Sequence, residues 1–272
     1  MGADVRADWS ADNNARSARF VDGLPHSRQR NNPQNVNQHG VAQQSTAKAS
    51  FIYDSFASLV KNDYFPCLGA RSALRRGTLR FGVYPEMTYA RATLGLLADL
   101  WSFISEFPRG GESLATFVAV FDGPATSSEE QFENLLWRQL QELHDLDVIE
   151  SGWDHEVSRD PHDPSFSFSV GGRGLFVVGL HPAASRWSRR FSWPTLVFNP
   201  HDQFVTLRRE GRMEGMKSAI RKRDRRLQGS ENPVLDDHGQ SSEARQYSGR
   251  AVENDWKCPF QPGAETGYGH SM

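Results

Sequence analysis

The sequence predicts an α+β domain in which a mixed or antiparallel sheet is flanked by helices and preceded by a disordered N-terminal tail. Several segments place apolar residues at helical spacing, and short apolar runs typical of strands separate them. Strands and helices alternate only loosely, and no repeat of 20–50 residues is present. We therefore expect one domain over residues 48–260, between a tail at 1–47 and a flexible end at 261–272.

Composition limits the classes of function. The 272 residues are 38% hydrophobic, which is low for a compact globule and indicates that part of the chain is disordered. A net charge of -2 argues against binding DNA through the charge of the whole protein. No apolar run is long enough to cross a membrane, and no signal pattern opens the chain. We expect a soluble cytoplasmic protein with reduced thiols.

The two predicted tails share a polar composition. The first contains NNPQNVNQHGVAQQSTAKAS, rich in Asn, Gln, Ser and Ala, and the second is QPGAETGYGHSM. Such segments cannot bury enough apolar surface to offset the conformational entropy of ordering them.

The first half of the domain alternates helix and strand. SFIYDSFASLVKN places its apolar residues on one helical face, and TLRFGVY at 78–84 alternates like a strand. ARATLGLLADLWSFISEF predicts a strongly apolar helix, and TFVAVFDG at 116–123 predicts a buried strand ending in a turn. The residues expected to face the core in these two helices are Phe51, Ile52, Phe56, Val60, Leu94, Leu97, Trp101 and Ile104.

The most strongly patterned helix covers SSEEQFENLLWRQLQELHDLD. It opens with Ser and Glu three residues apart, the spacing of a capping box. A loop rich in Asp, His and Pro follows, then two apolar strands at 174–180 and 194–199, and then helix over 201–227. The residues expected to face the core of the capped helix are Phe132, Leu135, Leu136, Leu140 and Leu143.

Two histidines each follow an apolar strand. His181 comes directly after LFVVGL, and His201 comes after TLVFNP. Because binding residues gather in the loops at strand ends, we expect both imidazoles to point into one cleft at the sheet edge. The alternative is that each histidine only caps a turn or bonds a backbone carbonyl.

These histidines suit iron. His181 and His201 with Asp202 could form a facial triad for non-haem iron, and either histidine alone could be the axial ligand of a haem. Cys258, which precedes a proline, is a third possible haem ligand. The paired Cys or His spacing of a structural zinc site is absent.

The run RREGRMEGMKSAIRKRDRR holds nine basic residues against three acids. It could be a solvated helical face or a nucleic-acid contact, although the interspersed acids weaken the second reading. It could also supply Arg208, Arg221 or Arg223 to haem propionates or another anionic group. Further on, SSEARQYSGR is rich in hydrogen-bonding side chains, and Asp237 and Glu243 are the carboxylates we place opposite a cationic substrate.

Several motifs in order resemble one family. Phe-Pro-Cys at 65–67 and Cys-Pro-Phe at 258–260, with VVGLHPAASR, FNPHDQF, GSENPVL and SEARQYSGR, are similar to the YqcI/YcgG family, also called FPC/CPF motif proteins. The likeness covers roughly residues 50–260.

This resemblance implies a haem-dependent N-oxygenase of specialised metabolism that hydroxylates guanidino or amine nitrogens. It implies hydroxylation of L-arginine to N-omega-hydroxy-L-arginine, in antibiotic biosynthesis of the D-cycloserine type. Haem b would be held by one axial ligand, with dioxygen and an external electron donor as partners, and the protein could be a homodimer. The alternatives are a non-haem iron oxygenase and a nucleic-acid-binding module without enzymatic activity.

The implied site has three groups of residues. We place His181 first as the axial ligand, His201 second and Cys258 third. The cofactor-binding set adds Arg186, Arg208, Arg221 and Tyr247, while Asp237 or Glu243 would hold the substrate guanidinium bidentately. We further predict that the FPC and CPF motifs pack against each other and join the two ends of the domain, as thiols or as a disulfide.

Overall fold

A five-stranded mixed sheet with helices on both faces forms the protein. The computed structural model describes residues 36–111, 114–230 and 241–263. The strands are β1 (Leu79–Tyr84), β2 (Thr116–Phe121), β3 (Phe168–Val170), β4 (Arg173–Leu180) and β5 (Thr195–Pro200). The helices are α1 (Val36–Lys61), α2 (Leu68–Arg76), α3 (Ala90–Glu106), α4 (Glu129–Asp147), α5 (His201–Arg209), α6 (Met213–Gln228) and α7 (Ala244–Tyr247).

The sheet order is β1-β2-β5-β4-β3, so the last strand in sequence lies at the centre. β1 and β2 are parallel and are connected through α3, while the remaining neighbours are antiparallel. A parallel pair needs a long crossover, and α3 provides it. The prediction of an α+β class with a mixed sheet is confirmed.

Each face of the sheet is covered by its own hydrophobic cluster. On one face α3 and α4 pack against residues such as Phe117, Phe198 and Val177. On the other face α1 and α2 pack against Phe81, Val118 and neighbouring side chains. Because side chains along a strand alternate between faces, consecutive residues of β2 and β5 contribute to opposite clusters.

The predicted elements exist, with differences at their edges. α1 begins at Val36, inside the segment predicted as a tail, and residues 1–35 lie outside the described residues. α2 and the three-residue β3 were not predicted. The helix expected over 201–227 divides into α5 and α6, because the chain turns at Gly211 with a φ of 69°, a conformation that favours glycine.

Two details of the helical patterns are corrected. Two residues expected to face the core are exposed, Phe51 by 64% and Leu94 by 57%. The buried stripe of α3 keeps the predicted Leu97 but otherwise runs through Leu96, Leu100 and Phe103. The cap of α4 is Ser128, whose hydroxyl accepts a hydrogen bond from the Gln131 amide at 3.1 Å. The Gln131 side chain reaches back to the Ser127 amide at 2.9 Å, so the capping box is shifted by one residue.

The FPC and CPF motifs do not pack against each other. Phe65 belongs to the cluster of α1 and α2, whereas Cys258 and Phe260 belong to the cluster of α3 and α4. The sheet separates them, and both cysteines are free thiols. Each motif therefore packs its own segment against a different face of the sheet. The prediction that the motifs join the two ends of the domain is wrong.

Within the described part of the chain, no helix is both long enough and apolar enough to cross a membrane.

Candidate active site

A cavity of about 270 Å³ lies on the sheet face that carries α1 and α2. Its floor is formed by alternate residues of β4 and β5, including Val178, Leu180 and Val197, and α5 and α6 close it on the other side. Most of the wall area is apolar, but nearly half of the lining side chains are polar or charged. Ligand pockets commonly combine apolar walls with polar groups that orient the ligand.

His201 is the imidazole of this cavity. It is the first residue of α5, is 7% exposed, and lines the cavity two residues after Asn199 of the floor. The next two residues fix the start of the helix. Asp202 accepts from Arg173 at 2.9 and 3.0 Å, and the Gln203 side chain bonds both backbone groups of Ala115 at 2.9 and 3.1 Å. The imidazole is therefore held by a rigid helix start.

A buried carboxylate lies behind the imidazole. Glu243 Oε2 is 3.7 Å from His201 Nδ1, and Glu243 Oε1 accepts a hydrogen bond from the Tyr247 hydroxyl at 2.6 Å. Tyr247 in turn accepts from the Phe168 amide at 3.1 Å. Burial, together with the Glu243 charge and hydrogen bond, raises the pKa of Tyr247 well above its ordinary value. Tyr247 therefore stays protonated and holds Glu243 in place.

Two arginines of the cavity are desolvated. Arg208 Nε is buried and has no hydrogen-bond partner among the described residues. Burial lowers the pKa of the Arg208 guanidinium, and the negative charge of Glu243 opposes this shift. Arg189 donates to the carbonyls of Gly179, Gln246 and Tyr247 at 3.0–3.2 Å, and burial lowers its pKa to about 10. Arg189 is thus satisfied by the protein, whereas Arg208 is not.

His181 does not lie in this cavity. β4 and β5 are antiparallel neighbours, with Leu180 opposite Thr195 and Leu175 opposite Pro200. The carboxyl end of β4 therefore lies beside the amino end of β5, away from the carboxyl end of β5. His181 instead stacks on Phe132 of α4, with ring centroids 4.2 Å apart, where a Cβ at Gly179 would overlap the Phe132 ring. The prediction of one cleft containing both imidazoles is wrong, because the carboxyl ends of neighbouring strands lie together only when the strands are parallel.

The proposed non-haem triad is not formed either. Asp202 is occupied by Arg173, and no group of three or more His, Cys, Asp or Glu side chains in the described ranges could hold a metal ion. The prediction that His181, His201 and Asp202 lie close together required β4 and β5 to be parallel, and they are antiparallel.

Burial lowers the pKa of His181 to about 4, with Glu129 opposing and Arg189 assisting the shift. Because the pKa of this histidine is lower in the folded protein, the unfolded chain takes up the proton first. The free energy of unfolding therefore decreases as the pH falls from about 6.5 to about 4. We expect His181→Phe, which keeps the stacked ring, to remove about 2–3 kcal/mol of acid destabilisation over this interval. Urea unfolding at a series of pH values measures it, with His155→Phe at an exposed position as the control. Equal pH dependence in both variants and the wild type would contradict the assignment.

Of the other residues predicted to bind cofactor or substrate, some line the cavity and others are buried in the core. Arg221 and Glu243 line the cavity with His201 and Arg208. Arg186 is instead paired with Asp224, with Nη2 2.6 Å from Oδ2, and Tyr247 lies in the core behind Glu243. Asp237 lies outside the described residues. Its role stays a prediction.

Cys258 is also remote from the cavity. Its side chain belongs to the cluster of α3 and α4, and burial raises the pKa of its thiol to about 12. A thiolate would be disfavoured there.

The sequence analysis missed part of the cavity lining. Cys67 contributes its side chain from the start of α2, where Sγ accepts from the Ala70 amide at 3.4 Å. Arg189 and Asn199 also line it. Asn199 could have been found, since it stands two residues before His201 and a strand repeats every two residues. Phe-Pro-Cys marks Cys67 as part of a motif, but no local pattern places Cys67 or Arg189 on the cavity, because their positions depend on how α2 and the loop after β4 pack.

A model of the YqcI/YcgG family matches residues 56–261, and the chain belongs to that family. The match covers the sheet, the cavity and both cysteine motifs. Among individual proteins, the chain is 26% identical over 162 residues to a Streptomyces lavendulae protein provisionally named N(omega)-hydroxy-L-arginine synthase DcsA. The matched part is 56% of this chain and 59% of that relative. No solved structure matches.

Proposed function

We propose that this protein is a haem-dependent N-oxygenase that hydroxylates a guanidino nitrogen, with L-arginine converted to N-omega-hydroxy-L-arginine. The main support is the placement of His201, a buried imidazole in an apolar cavity with a carboxylate behind it. The name of the Streptomyces lavendulae relative supports the choice of arginine. The reaction would insert one oxygen atom of dioxygen and reduce the other to water, using two electrons from an external donor.

The side chains around the cavity fit a haem. Imidazole nitrogen is a common axial donor to haem iron, and a carboxylate near the second ring nitrogen is the usual partner that orients such a ligand. In this proposal His201 would hold the iron through Nε2, and Glu243, whose Oε2 lies 3.7 Å from His201 Nδ1, would orient the imidazole. A porphyrin needs more space than the present cavity of about 270 Å³, so the match is one of side-chain chemistry and not of volume.

Haem supplies the dioxygen chemistry when bound, and the protein supplies the ligand, the orientation and the exclusion of water. The apolar walls, including Phe176, Phe204 and Met216, keep the reacting centre dry. Asp237 or Glu243 was predicted to hold the substrate guanidinium. Since Tyr247 and His201 face the two oxygens of Glu243, we assign Glu243 to positioning His201. Asp237 stays a predicted partner of the guanidinium.

The test is spectroscopic and chemical. The protein is expressed with ample haem precursor, its absorbance is scanned, and it is then incubated in air with L-arginine and a reductant. We expect a haem Soret band and a product that has gained one oxygen atom by mass spectrometry. A preparation that takes up no haem and forms no product refutes the proposal, and salt-dependent retention of such a preparation on DNA favours the nucleic-acid alternative.

A further inference from the structure

Arg208 of the cavity carries a buried nitrogen that the described part of the chain does not satisfy. Its Nε is buried without a hydrogen-bond partner in the described ranges. A buried guanidinium nitrogen is costly to leave without a hydrogen-bond acceptor. Arg189, on the same cavity, illustrates the usual solution, with three backbone carbonyls around its guanidinium.

The acidic side chains on the described part of the wall are already engaged. Asp224 is paired with Arg186 at 2.6 Å. Glu243 accepts from Tyr247 at 2.6 Å and faces His201 at 3.7 Å. Neither carboxylate forms a hydrogen bond or an ion pair with Arg208, although the charge of Glu243 acts on it from a longer distance. An acceptor for Arg208 Nε is therefore left to a ligand.

The position of Arg208 on α5 defines where that charge would be. Arg208 follows His201 by seven residues, which places both on the same helical face and about 10 Å apart along the axis. Phe204, between them, also lines the cavity. Along α5, an imidazole, an apolar ring and a guanidinium therefore follow one another on the lining of the cavity.

We propose that Arg208 binds a carboxylate of the ligand that occupies this cavity. A guanidinium matches a carboxylate in a planar, bidentate geometry, and hydrogen bonds between charged groups are the strongest of their kind. The inference rests on the proposed function for the identity of the ligand. Two carboxylates are then available, the α-carboxylate of the amino-acid substrate and a propionate of the porphyrin.

The experiment compares ligands with and without the carboxylate. Equilibrium affinities are measured without reductant for L-arginine against agmatine, its decarboxylated form, and for haem against haem dimethyl ester. The proteins are the wild type, Arg208→Gln, Arg208→Lys and the control Arg209→Gln, which removes the same charge from the neighbouring exposed position.

We expect the wild type and Arg209→Gln to prefer one carboxylate-bearing ligand over its partner by about 10- to 100-fold, and Arg208→Gln to lose that preference. Arg208→Lys should keep part of it. Loss of preference in the arginine pair assigns the substrate carboxylate, and loss in the haem pair assigns the propionate. Equal affinities within both pairs in the wild type overturn the site.

Stability separates a binding role from a structural one. Because Arg208 Nε has no hydrogen-bond partner among the described residues, Arg208→Gln should leave the melting temperature unchanged or raise it. A clear decrease would mean that Arg208 supports the fold, and would overturn the inference. A protein that binds L-arginine through Arg208 but never hydroxylates it would refute the proposed reaction alone.

Discussion

Replacing His201 by alanine is expected to abolish the Soret band of haem-loaded protein and reduce hydroxylation to background. In the proposed site His201 is the axial nitrogen donor, and its helix is fixed by Asp202 and Gln203. Loss of the ligand should weaken haem retention by at least about 100-fold, since changes even to residues behind a ligand cost 10–100-fold. Absorbance after gel filtration and quantification of bound haem measure the effect.

His181→Ala provides the matched comparison. His181 is buried on the opposite face of the sheet, against Phe132. Its replacement should lower the free energy of unfolding but leave the Soret position of the loaded protein unchanged. Exogenous imidazole should restore the band in His201→Gly and have no such effect on His181→Gly. An intact band in His201→Ala would refute the assignment of the ligand.

Replacing Asp224 by asparagine is expected to reduce the free energy of unfolding by about 3–5 kcal/mol. Asp224 and Arg186 form a buried ion pair at 2.6 Å, with side chains only 3% and 9% exposed. Arg186 also donates to the Ser230 carbonyl at 2.8 Å, so the pair connects α6 to the loop after β4. Asparagine has nearly the same shape but leaves the guanidinium charge buried without its counter-charge. Urea unfolding at pH 7 measures the change.

An exposed pair on the same helix is the control. Glu214→Gln breaks the contact of Glu214 with Lys217, where the Glu214 side chain is 80% exposed, and should change stability by less than about 1 kcal/mol. The double replacement Arg186→Met with Asp224→Leu should recover most of the loss, because it removes both buried charges. If Asp224→Asn were no more harmful than Glu214→Gln, the pair would not hold α6, and Arg186 would again be a candidate for binding the cofactor.

Periodicity was sufficient for most of the fold. The i, i+3, i+4 spacing around Phe132 and Leu136 located α4, and the apolar runs located β1, β2, β4 and β5 within one or two residues. It did not locate α2, a short helix that begins at a cysteine cap, or β3, whose three residues are too few for a pattern. Segments this short hold too few residues for their sequence to show a helical or strand periodicity.

The site was only partly within reach of the sequence. His201, Glu243, Arg208 and Arg221 were predicted and lie on one cavity. His181 was predicted with the same argument and lies elsewhere, because the direction of strand pairing is a tertiary property that no local pattern encodes. Arg186 was assigned to a cofactor on its residue type alone, although its partner Asp224 stands 38 residues later in the chain.

The separation of the two hydrophobic clusters by the sheet has a consequence for how members of this family can diverge. The face bearing α3 and α4 is filled with interlocking aromatic rings around Trp137 and Phe260, whereas the other face contains the hollow between the floor and α6. Substitutions on distant, unconnected sites act nearly independently on stability. The lining of the cavity on α5 and α6 can therefore change while the tightly packed face of α3 and α4 continues to stabilise the fold.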